Sequence, residues 1–381
     1  MSRRSETLRI AVVAHPRHPI AEPFMGGLEA HTAHLCRALA RRGHDVTLYA
    51  SGDSDAGVRL RPILPEHYER QYPWHAFRES ETLTGLLDDA YGEILDELGG
   101  FDVVHNNSLH RYVPRYARRD RVPMVTSLHV PPFDVLERTV ASSGAPWSRF
   151  TCCSEAHAAS WWSGARPSHA HVVHNGIDPS LWEFKESGDG SAVWIGRMSR
   201  TKAPHLAIAA ARRAGIPLRL FGTMDDYAYF RDEVRPLLGD GVTHEGHLTG
   251  KALAEEVRHS SVLLFTPTWD EPFGLVAAEA MACGLPVAAF DIGAAREVIG
   301  EAGALAPVGD VSALARAICD AVEIPRSVPR ARVERLFTQD RMVAGYEALY
   351  REVMRSVSRP APTVHFRPIE LPPQEDVKIA V

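Results

Sequence analysis

The 381-residue sequence predicts an α/β protein made of two consecutive, Rossmann-like units. Short apolar runs, typical of buried parallel strands, alternate with segments of helical periodicity. A polar, glycine-rich stretch, Lys185–Ser191, separates the two units. Several runs also end in polar residues, as expected where ligands bind beyond the carboxyl ends of parallel strands: His15, His105, His129, Ser154 and Asn175.

Composition sets the broad class. A prior of roughly 150 residues per domain favours two domains. The contents of 45% hydrophobic and 24% charged residues are ordinary for a soluble protein, and a net charge of −6 gives no indication of nucleic-acid binding. No run reaches the roughly 18 apolar residues of a membrane span, and no signal peptide is expected. Five scattered cysteines predict a reduced, cytoplasmic protein with buried thiols.

The first unit begins with a strand over Leu8–His15, followed by a loop that contains Gly26 and Gly27. A helix then extends to about Arg42. The G-x-G-x-x-G fingerprint of dinucleotide binding does not follow the first strand. The glycine pair either lets the loop approach a ligand closely or merely eases the start of the helix. Further predicted strands of this unit are Asp45–Ala50, Asp102–His105, Val122–Leu128, Arg149–Ser154 and His171–His174, with a helix over Glu79–Leu98 and no assignment for Ile63–Phe77.

Two charged features of the first unit are interpreted as solvated surface. Asp53-Ser54-Asp55 has the D-x-D form that holds a metal on a diphosphate in some sugar-transfer enzymes, but it lies in a Gly/Ser/Asp loop without a further ligand nearby. We therefore predict a turn and no metal site. The basic run Arg111–Arg121 could contact an anionic acceptor or a membrane, and a solvated helical face is favoured because the first half of the chain is mildly acidic.

The second unit contains two cations on the loop after its first strand. Arg197 follows Gly196, and Lys202 comes five residues later. Together they could neutralise a diphosphate, arginine through a bidentate fork and lysine as a point charge; the alternative is surface cations near a helix start. The predicted elements are the strands Ala192–Ile195, Leu218–Phe221 (before Gly222), Val242–His244, Val262–Phe265 and Val287–Phe290, and a helix over Pro204–Ala214.

The segment Thr266–Val287 combines a strand end, a turn and an apolar helix. Pro272 suits the first helical position, and the N–H groups of Phe273, Gly274 and Leu275 would then form an anion site at a helix N-terminus. Glu279 lies five residues beyond Gly274, about 7 Å at roughly 1.5 Å per residue, which matches the reach from a diphosphate to a ribose. Glu271 precedes the helix, where a group beyond the phosphate could lie. The alternative is an ordinary strand–helix junction with two solvated acids.

Taken in this order, the motifs resemble those of retaining glycosyltransferases of family 4, which have the GT-B fold. The resemblance covers roughly Leu8–Arg355 and rests on Gly26-Gly27, His129, Asn175–Asp178, Gly196-Arg197 with Lys202, and Glu271-Pro-Phe-Gly-Leu with Glu279. It implies two Rossmann-like domains facing across a deep cleft, with a C-terminal helix that crosses back. The implied domains are residues 1–185 plus 341–381 on the acceptor side and residues 186–340 on the donor side.

The resemblance also implies roles. Arg197 and Lys202 would stabilise the leaving diphosphate, and Glu271 and His129 would lie at the donor sugar and reaction centre. Glu279 would bind the ribose. Donor contacts would also come from Gly26, Gly27, Gly196, Gly222, Pro272, Phe273, Gly274 and Leu275. Family members usually need no metal, so no cofactor is expected beyond the nucleotide sugar, for which UDP is favoured over GDP, ADP or dTDP.

The expected activity is transfer of a hexose-type sugar to an acceptor hydroxyl by same-face attack. Alternatives are a GT-B epimerase or hydrolase, a Rossmann oxidoreductase and a non-catalytic nucleotide-sugar-binding protein. The acceptor, whether metabolite, saccharide or lipid-linked, and the oligomeric state are left open. The last helix is predicted over Arg341–Arg355, and the proline-rich tail Ser356–Val381 is expected to be an extended strap or partly disordered.

Overall fold

The computed structural model describes residues 7–358, which form two α/β units, each built on one parallel sheet. The strands of the first sheet are β1 (Arg9–Val13), β2 (Asp45–Ser51), β3 (Arg59–Leu64), β4 (Val103–Asn106), β5 (Met124–Leu128), β6 (Ser148–Cys152) and β7 (Ala170–Val172). Those of the second are β8 (Ala192–Ile195), β9 (Leu218–Phe221), β10 (Val242–His244), β11 (Val262–Phe265), β12 (Val287–Phe290) and β13 (Gly303–Ala306).

Helices connect the strands and cover both faces of each sheet. In the first unit they are α1 (Gly27–Arg41), α2 (Trp74–Phe77), α3 (Glu81–Leu98), α4 (Tyr112–Asp120), α5 (Asp134–Ser143) and α6 (Glu155–Trp161). In the second they are α7 (Pro204–Ala214), α8 (Tyr227–Tyr229), α9 (Gly250–Val257), α10 (Leu275–Ala282), α11 (Ala295–Ile299), α12 (Val311–Val322) and α13 (Ser327–Leu336). The last helix is α14 (Gln339–Ser358). None of the helices within residues 7–358 is both long and apolar enough to cross a bilayer.

The strand order explains where a site can form. The sheets run β3-β2-β1-β4-β5-β6-β7 and β10-β9-β8-β11-β12-β13, so the order reverses direction between β1 and β4 and again between β8 and β11. At such a reversal the connecting helices leave toward opposite faces and open a crevice at the carboxyl ends of the strands. Each sheet therefore provides one crevice, and both predicted cations follow the β8 end of the second.

The last helix returns to the first unit. Its Tyr350 hydroxyl lies 2.7 Å from His105 Nδ1 on β4, and Tyr346 lies 3.1 Å from the Ser127 hydroxyl on β5. Glu347 binds Arg42 at 2.7 Å. These buried polar contacts, together with the apolar side chains around them, fix α14 against α1, β4 and β5.

Several local predictions need correction. Strand β3 lies just ahead of and partly inside the segment that received no assignment, because its alternating Arg59–Leu64 sequence is only half-buried at the sheet edge. Strand β13 was also missed. Cys319 is exposed, whereas the thiols of Cys36, Cys152, Cys153 and Cys283 are buried. The predicted boundary after Lys185 falls in the loop between β7 and β8, and that after Asp340 falls inside α14. The predictions for the tail beyond residue 358 lie outside the described residues.

Candidate active site

A cleft of about 750 Å³ lies between the carboxyl edges of the two sheets and is lined by both units. The first unit contributes the loop after β1, the start of α1 and the ends of β4 and β5. The second contributes the loops after β8, β9 and β11. All the predicted site residues line this cleft: Gly26, Gly27, His129, Gly196, Arg197, Lys202, Gly222, Glu271, Pro272, Phe273, Gly274, Leu275 and Glu279.

The two cations of the second unit line this cleft, and each is held by an acidic neighbour. Arg197 donates one Nη1 bond of 3.0 Å to Asp225 and leaves its remaining nitrogens without a partner among residues 7–358. Lys202 Nζ lies 2.5 Å from Glu271 Oε2, which also accepts a 2.7 Å bond from the Trp269 indole. The Lys202–Glu271 pair is mostly shielded from solvent. The arrangement can offer an incoming diphosphate two positive charges. Beside them lies a carboxylate that can accept hydrogen bonds from hydroxyl groups.

Glycines bring the loops after β8 and β9 into direct contact. Gly222 has φ +148, and a Cβ there would lie 1.7 Å from the Gly196 carbonyl oxygen. No residue with a side chain fits this approach. The Gly222 N–H donates to the Gly246 carbonyl at 2.8 Å, which orders the third loop of the crevice. The loop that carries Arg197 is therefore packed without a gap against its neighbour.

Helix α10 begins later than its sequence predicts. Its first residue is Leu275, and the residue before it, Gly274, is in the left-handed region with φ +83 and ψ 64. Pro272 is therefore not the first helical residue, because the left-handed turn at Gly274 interrupts the right-handed helix. A Cβ at Gly274 would also lie 2.7 Å from the Phe265 ring. An anion here would meet backbone N–H groups that precede the first intrahelical donor, Ala277, and the predicted Phe273, Gly274 and Leu275 are among them.

The turn before α10 also contacts the first unit. The Pro272 carbonyl accepts a 2.6 Å bond from the Ser154 hydroxyl and faces Cys153 Sγ at 3.3 Å. The Phe273 ring is buried, and its centroid lies 6.3 Å from that of His174 in the first unit. Pro272 and Phe273 thus line the cleft. The Pro272 carbonyl and the Phe273 ring also contact residues of the first unit.

Glu279 lies on α10 and faces helix α1 of the first unit across a small cavity also lined by His31 and His34. Burial raises the pKa of its carboxyl to about 7. Burial alone causes this shift, and no hydrogen bond within residues 7–358 offsets it. An unpartnered carboxylate in a confined space is suited to accept bonds from the hydroxyls of a ligand.

The glycine pair closes the cleft from the other side. Gly26 precedes α1 in an extended conformation, and Gly27 is the first residue of the helix. A Cβ on Gly27 would approach Leu275 Cδ1 to 3.1 Å, so the starts of α1 and α10 almost touch. The starts of α1 and α10 thus lie side by side at the cleft, and the close approach of the glycine loop to a ligand stays a prediction.

His129 follows β5 and is partly buried among other histidines. Its Nε2 lies 3.1 Å from the Asn107 side-chain oxygen, and its ring centroid is 4.5 Å from that of His31. Because an amide oxygen only accepts, Nε2 carries the proton. Burial lowers the pKa of His129 well below its usual value, and the nearby histidines 31, 105 and 157 lower it further. His129 is a neutral imidazole, suited to hydrogen bonding rather than to acting as a cation.

Sequence reasoning missed polar groups on the first turns of α1. Glu29 is buried, and burial raises the pKa of its carboxyl although its own backbone N–H, Arg197 and Arg17 act in the opposite direction. His31 Nε2 is buried without a partner among the described residues. Both follow the Gly26–Gly27 pair by two to four positions, so helical spacing from that pair could have identified them.

The features interpreted as solvated surface have local partners. Asp53 binds His67 Nδ1 at 2.5 Å and Asp55 accepts the Gly57 N–H. Within residues 7–358 no three His, Cys, Asp or Glu side chains are grouped as a metal site. In the basic run, Arg121 lies over the Trp147 ring and Arg119 pairs with Asp120. Arg111 differs, because it lines the cleft.

Comparisons with known proteins agree with this geometry. Residues 25–181 match the sequence model described as Glycosyltransferase Family 4, and residues 190–323 match the one described as Glycosyl transferases group 1. The chain belongs to the family 4 glycosyltransferases of the GT-B fold. The two matched regions coincide with the two units that flank the cleft.

Curated relatives extend over nearly the whole glycosyltransferase. The D-inositol 3-phosphate glycosyltransferase of Mycolicibacterium smegmatis is 25% identical and is aligned over 93% of this chain and 94% of its own. The glycogen synthase of Mycobacterium tuberculosis is 26% identical, over 85% and 88%. These names show that the family includes different substrates, and they do not select one for this chain.

Solved structures show the same fold. Sucrose-phosphate synthase from Thermosynechococcus elongatus superposes with a TM-score of 0.74 at 22% identity, covering 91% of this glycosyltransferase and 99% of the solved chain. HepE from Anabaena, solved with UDP and glucose, gives a TM-score of 0.71 at 18% identity, covering 90% and 98%. At these identities the likeness shows the fold alone.

Proposed function

We propose that this glycosyltransferase transfers a hexose-type sugar from a UDP-sugar to an acceptor hydroxyl. The reaction retains the anomeric configuration and needs no metal ion. The observation that carries the proposal is the grouping of Arg197, Lys202 and the N-terminus of α10 around one end of the cleft. Glu271 and Glu279 flank this group at distances along the chain that fit a sugar and a ribose.

Charge at the leaving group supports a role for these residues in the reaction. Breaking the bond between the anomeric carbon and the phosphate oxygen places negative charge on the diphosphate. Arg197, Lys202 and the backbone N–H groups of Leu275 and Val276 are already in place before that charge develops. Preorganised donors of this kind stabilise a transition state more than the ground state. They supply from the protein the positive charge that a divalent ion would otherwise provide.

Same-face attack accounts for retention. The acceptor oxygen bonds to the anomeric carbon on the face from which the phosphate departs, and the acceptor proton passes to the leaving phosphate oxygen. The products are the glycosylated acceptor and UDP. A two-step route needs a carboxylate directly beneath the anomeric carbon. Neutral His129, bound to Asn107, would orient the donor sugar at this point by hydrogen bonding.

UDP is the proposed nucleotide because HepE, which shares this fold, has been solved with UDP and with UDP-glucose. Glu279, unpartnered and facing α1, would accept the ribose hydroxyls. The Gly26–Gly27 turn would place the N-terminus of α1 against the diphosphate from the opposite side of the cleft, because it already touches Leu275.

The test is a calorimetric screen of UDP-, GDP-, ADP- and dTDP-sugars, followed by NMR of the anomeric proton in the product formed from the best donor. UDP-sugar binding, an unchanged anomer and full activity in EDTA are expected. Inversion of the anomer, tighter binding of another nucleotide or loss of activity in EDTA would each contradict the corresponding part of the proposal.

A further inference from the structure

One wall of the cleft is apolar and belongs entirely to the first unit. Among residues 7–358, eight large hydrophobic side chains are more than a third exposed, and three of them line this wall: Trp74, Phe133 and Val135. Their exposed fractions are 39%, 46% and 38%. Clustered apolar exposure inside a cleft marks a surface that a ligand covers. The wall and the predicted donor residues line the same cleft, so an acceptor bound at the wall would lie next to the donor sugar.

Trp74 is held in place rather than freely mobile. Its backbone N–H donates to Glu69 at 3.1 Å, and the Arg17 guanidinium lies over its ring at 5.4 Å from the centroid. Helix α3 adds Leu83 and Leu87 to the same wall. A fixed indole ring presents a flat apolar surface at a low cost in conformational entropy, which suits stacking against another ring.

Cations on this wall are already occupied. Arg17 grips Glu69 through Nε at 2.8 Å and Nη2 at 3.5 Å, and Arg111 shares Asp88 with His110. Arg17 binds Glu69 along one edge of its guanidinium while the Trp74 ring lies against one face. Both arginines are thus paired with a carboxylate, which weakens their attraction for a phosphate.

Other polar groups on the wall carry no positive charge. Burial lowers the pKa values of His15 to about 3 and of His110 to about 4, so both rings are neutral at pH 7. Helix α5 begins at this wall with Asp134 and Glu137 in its first turn, which offset the positive end of its dipole. A negatively charged acceptor would meet no free positive group among these residues.

We infer that the acceptor is an uncharged small molecule whose hydroxyl is carried on a flat, ring-based apolar body. This inference rests on the proposed function, since it assigns the acceptor half of the same cleft. The ring would stack on Trp74, and its hydroxyl would point toward the donor sugar. The indole and phenyl surfaces favour a ring over a flexible alkyl chain.

The test uses four probes titrated calorimetrically into the UDP-saturated protein: 4-nitrophenyl β-D-glucoside, its 6-phosphate, octyl β-D-glucoside and glucose. The aryl glucoside should bind at least about tenfold more tightly than glucose, a difference of the size that aromatic stacking supplies. The 6-phosphate and the octyl glucoside should both bind more weakly than the aryl glucoside. Equal binding of glucose, or tighter binding of the phosphate or of the octyl chain, would overturn the inference.

Variants locate the binding to the wall. Trp74→Ala should weaken binding of the aryl glucoside by about tenfold and leave UDP affinity unchanged, whereas Trp74→Phe should retain most of it. Val308→Ala is the matched control, since Val308 is equally exposed but lies outside the cleft. Unchanged binding of the aryl glucoside to Trp74→Ala would contradict the assignment.

Glu69→Gln tests the charge argument. The amide still accepts the Trp74 N–H but no longer neutralises Arg17, so binding of the 6-phosphate should improve relative to the uncharged glucoside; no change would count against the charge argument. A UDP titration separates the two proposals. If UDP fails to bind while the aryl glucoside binds, the donor assignment fails; if UDP binds and the glucoside does not, the acceptor inference fails.

Discussion

Lys202 Nζ and Glu271 Oε2 lie 2.5 Å apart, although 69 positions separate the two residues in the chain. The lysine follows β8 and the glutamate follows β11, the two strands between which the sheet order reverses. The pair is shielded, so neither charge is fully hydrated before the donor arrives. In the proposed reaction, Lys202 acts on the diphosphate while Glu271 beside it accepts hydrogen bonds from the hydroxyls of the donor sugar.

Removal of either cation should impair catalysis more than folding. Arg197→Ala and Lys202→Ala are each expected to lower kcat by about 10²- to 10³-fold, because each deletes a charge that acts on the leaving diphosphate. The rate of UDP release and the circular dichroism spectrum are the measurements. Arg213→Ala, which removes an exposed cation from α7, should leave kcat unchanged. A near-normal kcat in both active-site variants would refute their assigned role.

Gly222→Ala should destabilise the protein by about 3 kcal/mol or more, because the new Cβ would lie 1.7 Å from the Gly196 carbonyl oxygen. Chemical denaturation gives the free energy of unfolding. Gly215→Ala is the control, since φ is also positive there, +71, but no atom lies within 4 Å of the added Cβ. It should cost only about 1 kcal/mol. If the free energy of unfolding fell equally in the two variants, the close approach of Gly222 to Gly196 would not be the cause of the destabilisation.

Glu279 should make stability fall as pH rises. The folded protein holds its carboxyl proton up to a pKa of about 7, whereas an ordinary glutamate releases it near 4.5. The unfolded chain therefore binds fewer protons in this interval, and the free energy of unfolding decreases from pH 4.5 to 7. Glu279→Gln should remove this decrease, a gain on the order of 2 kcal/mol over wild type at pH 8.

Denaturation of the ligand-free protein at pH 5 and pH 8 measures this effect. Glu323→Gln, at an exposed position after α12, makes the same chemical change away from the cleft and should leave the pH profile unaltered. A Glu279→Gln profile parallel to wild type would contradict burial as the cause.

Glu297 should contribute stability that acid removes. Its carboxylate accepts the N–H groups of Glu155 and Ala156 at 2.9 and 3.0 Å and contacts His174 at 2.8 Å, which joins α11 to the start of α6 in the other unit. Burial alone would raise its pKa, but these bonds lower it overall. The stabilisation is thus present above the ordinary carboxyl pKa and is lost as pH falls below it.

Glu297→Ala is accordingly expected to cost about 2 kcal/mol at pH 7 and much less at pH 3.5. Denaturation at both pH values provides the comparison. Glu334→Ala breaks only an exposed pair with Arg330 and should cost no more than about 0.5 kcal/mol. A loss at Glu297 that does not depend on pH would disagree with an ionised cap.

Local pattern was sufficient for the architecture of the two units. Apolar runs such as Val262–Phe265 bury both faces of a strand, and this requirement is visible in four consecutive residues. The edge strand β3 was not predicted, because one side of it faces solvent and its sequence contains few apolar residues. Pro272 was wrongly predicted as the first helical residue, because glycine can adopt left-handed as well as right-handed backbone angles and the sequence does not show which one Gly274 takes.

The sequence by itself determined two parallel α/β units, with polar and charged residues at the strand ends, and through motif order it determined the family. Only the tertiary structure decided which of these residues share a surface. The contact of Gly27 with Leu275, and the single cleft that Arg197 and His129 both line, depend on how two separately folded sheets face each other. Such long-range contacts cannot be predicted from sequence periodicity, because the apolar pattern of a segment reflects only the helix or strand that the segment itself forms.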